Sequence, residues 1–118
     1  WVWYYGSLYP SQKPPDFKAY LSDLSANLKQ PGRFDAAIAL GGSSRRPSLE
    51  RLSQVKVPTL VMMGTKDPDF PDPTAEANFI AEQTRGRLEL VEGAGHYPQT
   101  EVPDVTTPVI IEFLKVAP

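Results

Sequence analysis

The chain has 118 residues, of which 41% are hydrophobic and 22% are charged, and its net charge at pH 7 is -2. These proportions are typical of one folded domain or a part of one, so disorder is not expected. Lysines and arginines occur singly or in pairs, which argues against nucleic acid and an anionic membrane surface as main partners.

Cysteine is absent, and His96 is the single histidine. Disulfides, thiol catalysis and a metal held by cysteines or by several histidines of one chain are therefore excluded. A reducing compartment fits the absence of cysteine, and no apolar run approaches the ~18 residues of a membrane-spanning helix. We expect a cytoplasmic protein that binds no metal and no cofactor.

The first 56 residues predict helices joined by loops. Apolar residues from Asp16 to Gln30 recur at the spacing of one helical face, and Pro31-Gly32 follows as a stop. We therefore predict a helix over 16–30 with Asp16 as its N-cap. A second, Ala-rich helix is predicted over 33–40.

Aromatic residues are concentrated at the start of the chain, and large aromatic side chains usually pack onto something. We therefore expect the natural start of the protein to lie upstream of the first residue. These side chains either pack together or line a substrate pocket, and packing is the simpler interpretation for Trp1, Trp3, Tyr4, Tyr5 and Phe17.

The second half of the chain predicts strands that alternate with helices. A continuous apolar run over 57–63 is typical of a strand buried on both faces of a parallel sheet. A helix over 73–84, which begins after Asp72, a strand over 87–91 and a helix over 105–116 follow it. This alternation predicts the α/β class with a parallel sheet.

A sheet of two parallel strands is incomplete, because a fully apolar strand needs a neighbour on each side and cover on both faces. Something outside one chain of this sequence must supply them. We expect the missing N-terminal half of the protein or another copy of the chain as the partner, so a homo-oligomer is one expected state.

Two polar residues follow the predicted strands directly. Asp67 ends Gly64-Thr65-Lys66-Asp67 after the first strand, and His96 ends Gly93-Ala94-Gly95-His96 after the second. Adjacent parallel strands lie about 4.8 Å apart and end at the same edge of the sheet, so we expect the two side chains to meet. A carboxylate bonded to one imidazole nitrogen lets the other nitrogen take a proton from a nucleophile.

The segment from Val57 to Pro118 resembles the C-terminal part of the α/β-hydrolase superfamily. In that superfamily a Val-Pro-Thr-Leu-Val-like strand leads into Gly-x-x-Asp, and a later Gly-x-Gly-His precedes the last helix. The resemblance implies that Asp67 is the triad acid and His96 the triad base, in the family's order. It also implies that 57–118 is part of the hydrolase core, that 1–56 is a remnant of the helical cap, and that a small-molecule ester or amide is the substrate.

The family's Gly-x-Ser-x-Gly nucleophile elbow is absent from the sequence, as is its oxyanion-hole loop. Gly41-Gly42-Ser43-Ser44-Arg45 has neither the spacing nor a preceding strand. Without a nucleophile the isolated chain is expected to be inactive. The attacking group, a Ser or less often an Asp or Cys, is expected from an absent N-terminal half.

Simpler interpretations remain open. His96 can be a loop histidine bonded to a backbone carbonyl, Asp67 can be a turn former, and Asp69 is a rival acid. Arg45-Arg46 is most simply a solvated pair, and Glu101 is expected to serve the start of the last helix. The alternative function is a non-catalytic, self-associating module. A phosphate-accepting role for Asp67 lacks the acidic pair on an earlier strand that would bind magnesium.

Overall fold

A computed structural model describes residues 1–116 of the chain, so the last two residues of the predicted core segment 57–118 lie outside the described part. No helix within 1–116 is long and apolar enough to cross a membrane. Residues 1–116 form seven α-helices and two strands, in the order α1 (Val2–Ser7), α2 (Phe17–Leu28), α3 (Arg33–Gly41), α4 (Arg46–Leu49), a 3-10 turn (Leu52–Gln54), β1 (Leu60–Gly64), α5 (Pro73–Thr84), β2 (Arg87–Val91), α6 (Pro98–Glu101) and α7 (Pro103–Val116).

The two strands form a parallel sheet, with Leu60 opposite Arg87 at the start of the pairing. Backbone bonds extend the ladder at both ends: Arg87 N–H donates to the Thr59 carbonyl at 2.9 Å, and Thr65 N–H donates to the Val91 carbonyl at 3.1 Å. The predicted α/β class with a parallel sheet is therefore confirmed at this level. Each strand has a strand neighbour on one side only within residues 1–116.

Helix α5 covers one face of the sheet. Its buried Ala77 and Ala81 pack against the buried side chains of Val61 and Met63 from β1. The helix begins where predicted, because the Asp72 carboxylate accepts a hydrogen bond from the Ala75 backbone N–H at 2.9 Å and a proline occupies the first helical position. The four side chains from α5 and β1 form the buried hydrophobic cluster of the second half of the chain.

The opposite face of β1 is only partly covered. Leu60 and Met62 are half-buried, and they line one wall of an open groove of about 410 Å³ whose other wall is α7. The partly open face agrees with the expectation that one chain leaves the sheet incomplete. Leu114 of α7 is 65% exposed.

Several predicted boundaries differ from the structure. Strand β1 begins three residues later than predicted, because Pro58 has no N–H for the ladder and Val57 is 69% exposed.

Helix α2 is shorter than 16–30, and the Asp16 side chain makes no capping bond. Helix α7 begins at Pro103 rather than at residue 105, which leaves Pro108 inside the helix. The short helices α1 and α6 were not predicted, while 33–40, 73–84 and 87–91 agree to within one residue.

Candidate active site

The loops after β1 and β2 leave the sheet side by side. Because the strands are parallel and in register, both loops start at the same edge. Lys66 N–H, in the first loop, donates to the Ala94 carbonyl of the second at 2.9 Å. A Cβ at Gly64 would lie 2.1 Å from the Gly95 carbonyl oxygen, so the loops can approach this closely only with glycine at that position.

The two loops bring the side chains of Asp67 and His96 into contact, as the sequence predicted. His96 Nδ1 lies 2.9 Å from Asp67 Oδ2. Asp67 is 4% exposed, and its other oxygen accepts a hydrogen bond from the Asp69 backbone N–H at 3.0 Å. An ionised carboxylate can only accept, so Nδ1 carries the hydrogen in this arrangement and Nε2 is left with a lone pair that can take a proton.

The position of the imidazole is fixed from outside its own loop. His96 N–H donates to the Leu8 carbonyl at 3.0 Å, and its ring packs edge-on against Tyr97 with 4.9 Å between centroids. The imidazole keeps 34% of its side-chain surface exposed. A reactant can therefore reach the ring while the backbone behind it is held in place.

Glu101 holds the same loop to the N-terminal segment. Its side chain is almost fully buried, at 1% exposure. One carboxylate oxygen accepts from the Gly95 N–H at 2.6 Å, and the other accepts from the Ser11 N–H at 3.0 Å and the Ser11 hydroxyl at 2.6 Å. Glu101 therefore does not serve the start of the last helix, as the sequence led us to expect. It stabilises the loop that carries His96.

Asp69 lies beside the acid and base rather than replacing the acid. Its Oδ2 is 3.5 Å from His96 Nδ1, while its Oδ1 accepts a 2.5 Å hydrogen bond from the Tyr4 hydroxyl of α1. The hydrogen bond to this carboxylate, followed by burial, raises the pKa of Tyr4 to about 12. Tyr4 was not predicted to take part, because contacts made 65 residues apart leave no local sequence pattern.

Several aromatic residues from the N-terminal part of the chain form one cluster with Tyr97, the residue after His96. Tyr5 stacks on Tyr20 at 4.8 Å and Tyr9 stacks on Tyr97 at 5.0 Å, with Phe17 packed beside them. Burial raises the pKa of Tyr5 above its ordinary value, and the Tyr9 hydroxyl adds to the effect. Packing is therefore confirmed for Tyr5 and Phe17.

The two tryptophans lie outside that cluster. Trp3 is 86% exposed, while Trp1 packs edge-on against Tyr4 at 5.6 Å and borders a cavity of about 400 Å³ next to Asp69. The same cavity is bordered by Arg45. An open cavity therefore lies between the N-terminal helices and the loop that carries the acid.

The glycine-rich loop before His96 is not arranged as a phosphate cradle. Gly93 N–H donates to the Thr65 hydroxyl at 2.9 Å, and Gly95 N–H is taken by the Glu101 carboxylate. A phosphate loop needs such N–H groups to be free for the ligand. The donor groups of this loop are used instead to hold His96 beside Asp67.

Asp67, Asp69 and His96 also place one ligand atom each within 4.8 Å of one another, as a metal site would. A metal on Nδ1 would require that nitrogen to lose its hydrogen and would break the 2.9 Å bond to Asp67. The observed contacts are those of an acid bonded to an imidazole, so we do not identify these residues as metal ligands.

Of the remaining candidates from the sequence, Arg45 borders the cavity next to Asp69, while the side chains of Arg46 and Ser43 bond elsewhere. Arg45 and Arg46 are exposed, and Arg46 pairs with Glu50 at 2.7 Å across one helical turn. The Ser43 hydroxyl donates to the Leu40 carbonyl at 2.8 Å at the end of α3. These contacts fit a solvated arginine pair and a helix end.

Comparisons with known proteins add no relative. No family model matches the chain, and neither a curated protein nor a solved structure matches it.

The buried contacts of Glu101 predict a large loss of stability when its charge is removed. Glu101→Gln replaces one acceptor oxygen by an NH₂ group that faces N–H and O–H donors, so we expect the free energy of unfolding to fall by about 2–3 kcal/mol in urea denaturation. Glu112→Gln is the control, because Glu112 pairs with Arg87 at the surface and its loss should cost under ~1 kcal/mol. Equal effects of the two substitutions would contradict the assigned role.

The Tyr4–Asp69 contact predicts a pH dependence at the alkaline end. The folded pKa of Tyr4, about 12, lies above its ordinary value of 10.0. The stabilisation from this contact is therefore complete below pH 10 and lost as the pH rises toward 12. In Asp69→Asn, an ultraviolet titration of tyrosinate should show the pKa of one tyrosine falling back toward 10. In Tyr4→Phe, the titration of that tyrosine should be absent. Superimposable titrations of the wild type and Asp69→Asn would refute the contact.

Proposed function

We propose that this chain supplies the acid and the base of an α/β-hydrolase catalytic triad. The observation that carries the proposal is the 2.9 Å bond between the Asp67 carboxylate and Nδ1 of His96, made by loops at the ends of neighbouring parallel strands. Asp67 is buried and His96 keeps an accessible ring. These are the properties that an orienting acid and a general base need.

In the proposed reaction, His96 Nε2 takes the proton of a Ser or Cys nucleophile as it attacks an ester or amide carbonyl. The imidazolium then gives that proton to the leaving group, while Asp67 stays ionised and stabilises the positive ring. His96 next takes a proton from a water molecule, which attacks the acyl group and releases it from the nucleophile, and the imidazolium returns that proton to the nucleophile. The nucleophile, a Ser or less often an Asp or Cys, comes from outside the 118 residues. The chain alone is expected to bind substrate weakly and to leave the bond intact.

The uncovered side of β1 supports a partner for the missing part of the fold. The backbone carbonyl of Thr59 and the backbone N–H of Thr65 bond to β2. Because the backbone groups of successive residues point to alternate sides of a strand, those of Leu60 and Met62 point to the free edge. The adjoining groove is apolar and continues onto α7, where Ile110 and Phe113 line it. A parallel strand with an apolar cover would satisfy both features.

The N-terminal 56 residues fit the role of a cap in the same proposal. They contact the loop of His96 through Leu8, the Glu101 carboxylate that supports this loop through Ser11, and Asp69 through Tyr4. The cavity of about 400 Å³ between these helices and Asp69 would accept a small molecule of mixed apolar and polar surface.

The proposal is tested by complementation. The chain is produced together with an N-terminal hydrolase half that carries a Gly-x-Ser-x-Gly elbow, and cleavage of a p-nitrophenyl ester is followed. We expect activity to fall about 10⁴-fold or more in His96→Ala, and to fall by up to about 10⁴-fold in Asp67→Asn, whose amide favours the wrong imidazole tautomer. Glu112→Gln should retain the activity. Cleavage that is unchanged in His96→Ala would contradict the proposed role of His96 as the base.

A non-catalytic, self-associating module is the second candidate, and the free edge of β1 favours it as well. In this case another copy of the chain would cover the groove. Size-exclusion chromatography of the 118-residue chain distinguishes the candidates, because only self-association gives a defined oligomer without an added N-terminal half.

The groove predicts which substitution weakens self-association. Leu114 borders the groove and is 65% exposed, so Leu114→Lys should leave the fold of one chain intact and shift any oligomer toward the monomer by ten-fold or more in concentration, roughly the effect of losing one buried leucine. Thr107→Lys on the same helix is the control, because Thr107 is exposed and does not line the groove. A well-folded wild-type chain that stays monomeric at all concentrations would contradict the need for a partner.

A further inference from the structure

Two carboxylates, rather than one, approach the same imidazole nitrogen. Asp67 Oδ2 lies 2.9 Å from His96 Nδ1, and Asp69 Oδ2 lies 3.5 Å from it. The remaining oxygen of each carboxylate already has a donor: Asp67 Oδ1 accepts from the Asp69 N–H, and Asp69 Oδ1 accepts from the Tyr4 hydroxyl. In each carboxylate, the oxygen near Nδ1 is therefore the one that these other donors leave unbonded.

We propose that Asp69 is a second acceptor for the Nδ1 hydrogen of His96, held in that orientation by the Tyr4 hydroxyl. The inference rests on the proposed role of His96 as a base. Asp69 acts through the imidazole and is thus a positioning residue. In the resting arrangement Asp67 is the closer acceptor, at 2.9 Å. The 3.5 Å distance from Asp69 is at the outer limit of a hydrogen bond.

The charges around the ring explain why a second carboxylate is useful. When Nε2 takes a proton, the ring becomes positive, and a carboxylate at 3.5 Å lowers the energy of that state. The ionisable groups that face the ring are Asp67 and Asp69 from the loop after β1 and the phenol of Tyr97 beside it. Tyr4 of α1 reaches the ring only through Asp69.

The orientation of Asp69 depends on another segment of the chain. Without the Tyr4 hydroxyl, the side chain of Asp69 has no donor on Oδ1 and can turn toward water, since it is 20% exposed. Asp67 has no such freedom, because its side chain is only 3% exposed. Asp69 is therefore the adjustable member of the pair, and Tyr4 sets its position.

The test uses the single histidine as a spectroscopic probe. In ¹⁵N-labelled protein, the chemical shifts of the two ring nitrogens report which of them carries the hydrogen. We compare Asp67→Ala with the double variant Asp67→Ala and Asp69→Ala. In the single variant Asp69 should close on Nδ1 and keep the hydrogen there, with a tautomer ratio about ten-fold or more higher than in the double variant, the effect of one hydrogen bond to a charged group.

A second pair of variants covers the case in which removal of the buried Asp67 side chain prevents folding. Asp67→Asn and the double variant Asp67→Asn and Asp69→Asn keep the volume at both positions, and they share the same amide at position 67. Any difference in tautomer ratio between them comes from Asp69 alone. We expect the same direction of change, with more hydrogen on Nδ1 when Asp69 is present.

Tyr4→Phe supplies the test of orientation. Added to Asp67→Ala, or to Asp67→Asn, it should lower the tautomer ratio toward that of the corresponding double variant, because Asp69 is then no longer held against the ring. A merely structural contact between Tyr4 and Asp69 would leave the ratio unchanged. Equal tautomer ratios with and without Asp69 in a folded pair of variants would overturn the proposal.

The measurement separates this inference from the proposed hydrolase function. It needs no nucleophile and no substrate, so the tautomer shift can be present in a chain that fails the ester-cleavage test. In that outcome Asp69 would still be an acceptor for His96, while the catalytic role of His96 would fall. Cleavage that depends on His96 without any tautomer shift would reject Asp69 and keep the hydrolase.

Discussion

The close passage of two loops at one edge of a parallel sheet is the constraint on which the site depends. The backbone bond from Lys66 to Ala94 ties these loops together, and it forms only because Gly64 has no side chain to obstruct the second loop. With the strands in register, the loop backbones have one relative position. That position sets the distance between the Asp67 carboxylate and the imidazole of His96. Gly64 therefore affects the geometry of this pair although it contacts neither side chain.

Support for the imidazole comes from segments far apart in the sequence. The Glu101 carboxylate gathers donors from the loop of His96 and from Ser11, and the Leu8 carbonyl accepts from the His96 backbone. A buried carboxylate with all its donors in place is rigid, because leaving any of them unpaired would be costly. Rigid support of this kind keeps the imidazole of His96 at a fixed distance from the Asp67 carboxylate.

The sequence predicted the parts of the fold that depend on local patterns. The apolar run of β1, the Asp72 cap of α5 and the strand–loop positions of Asp67 and His96 are all encoded within a few neighbouring residues. It did not predict the roles of Tyr4 and Glu101, because each depends on a tertiary contact with no periodic or motif signal. The predicted start of β1 was wrong for another reason: the apolar run begins before the first residue of the strand, Leu60.

The attachment of the N-terminal helices to the loop of His96 has a consequence for how such a protein can change over time. A segment that only covered other residues could change its sequence freely. Here three residues of the N-terminal segment, Tyr4, Leu8 and Ser11, bond to Asp69, His96 and Glu101. Sequence change in this segment is therefore directed to positions that avoid these contacts, such as the exposed Ile38 and Leu40, where new side chains leave the Asp67–His96 pair undisturbed.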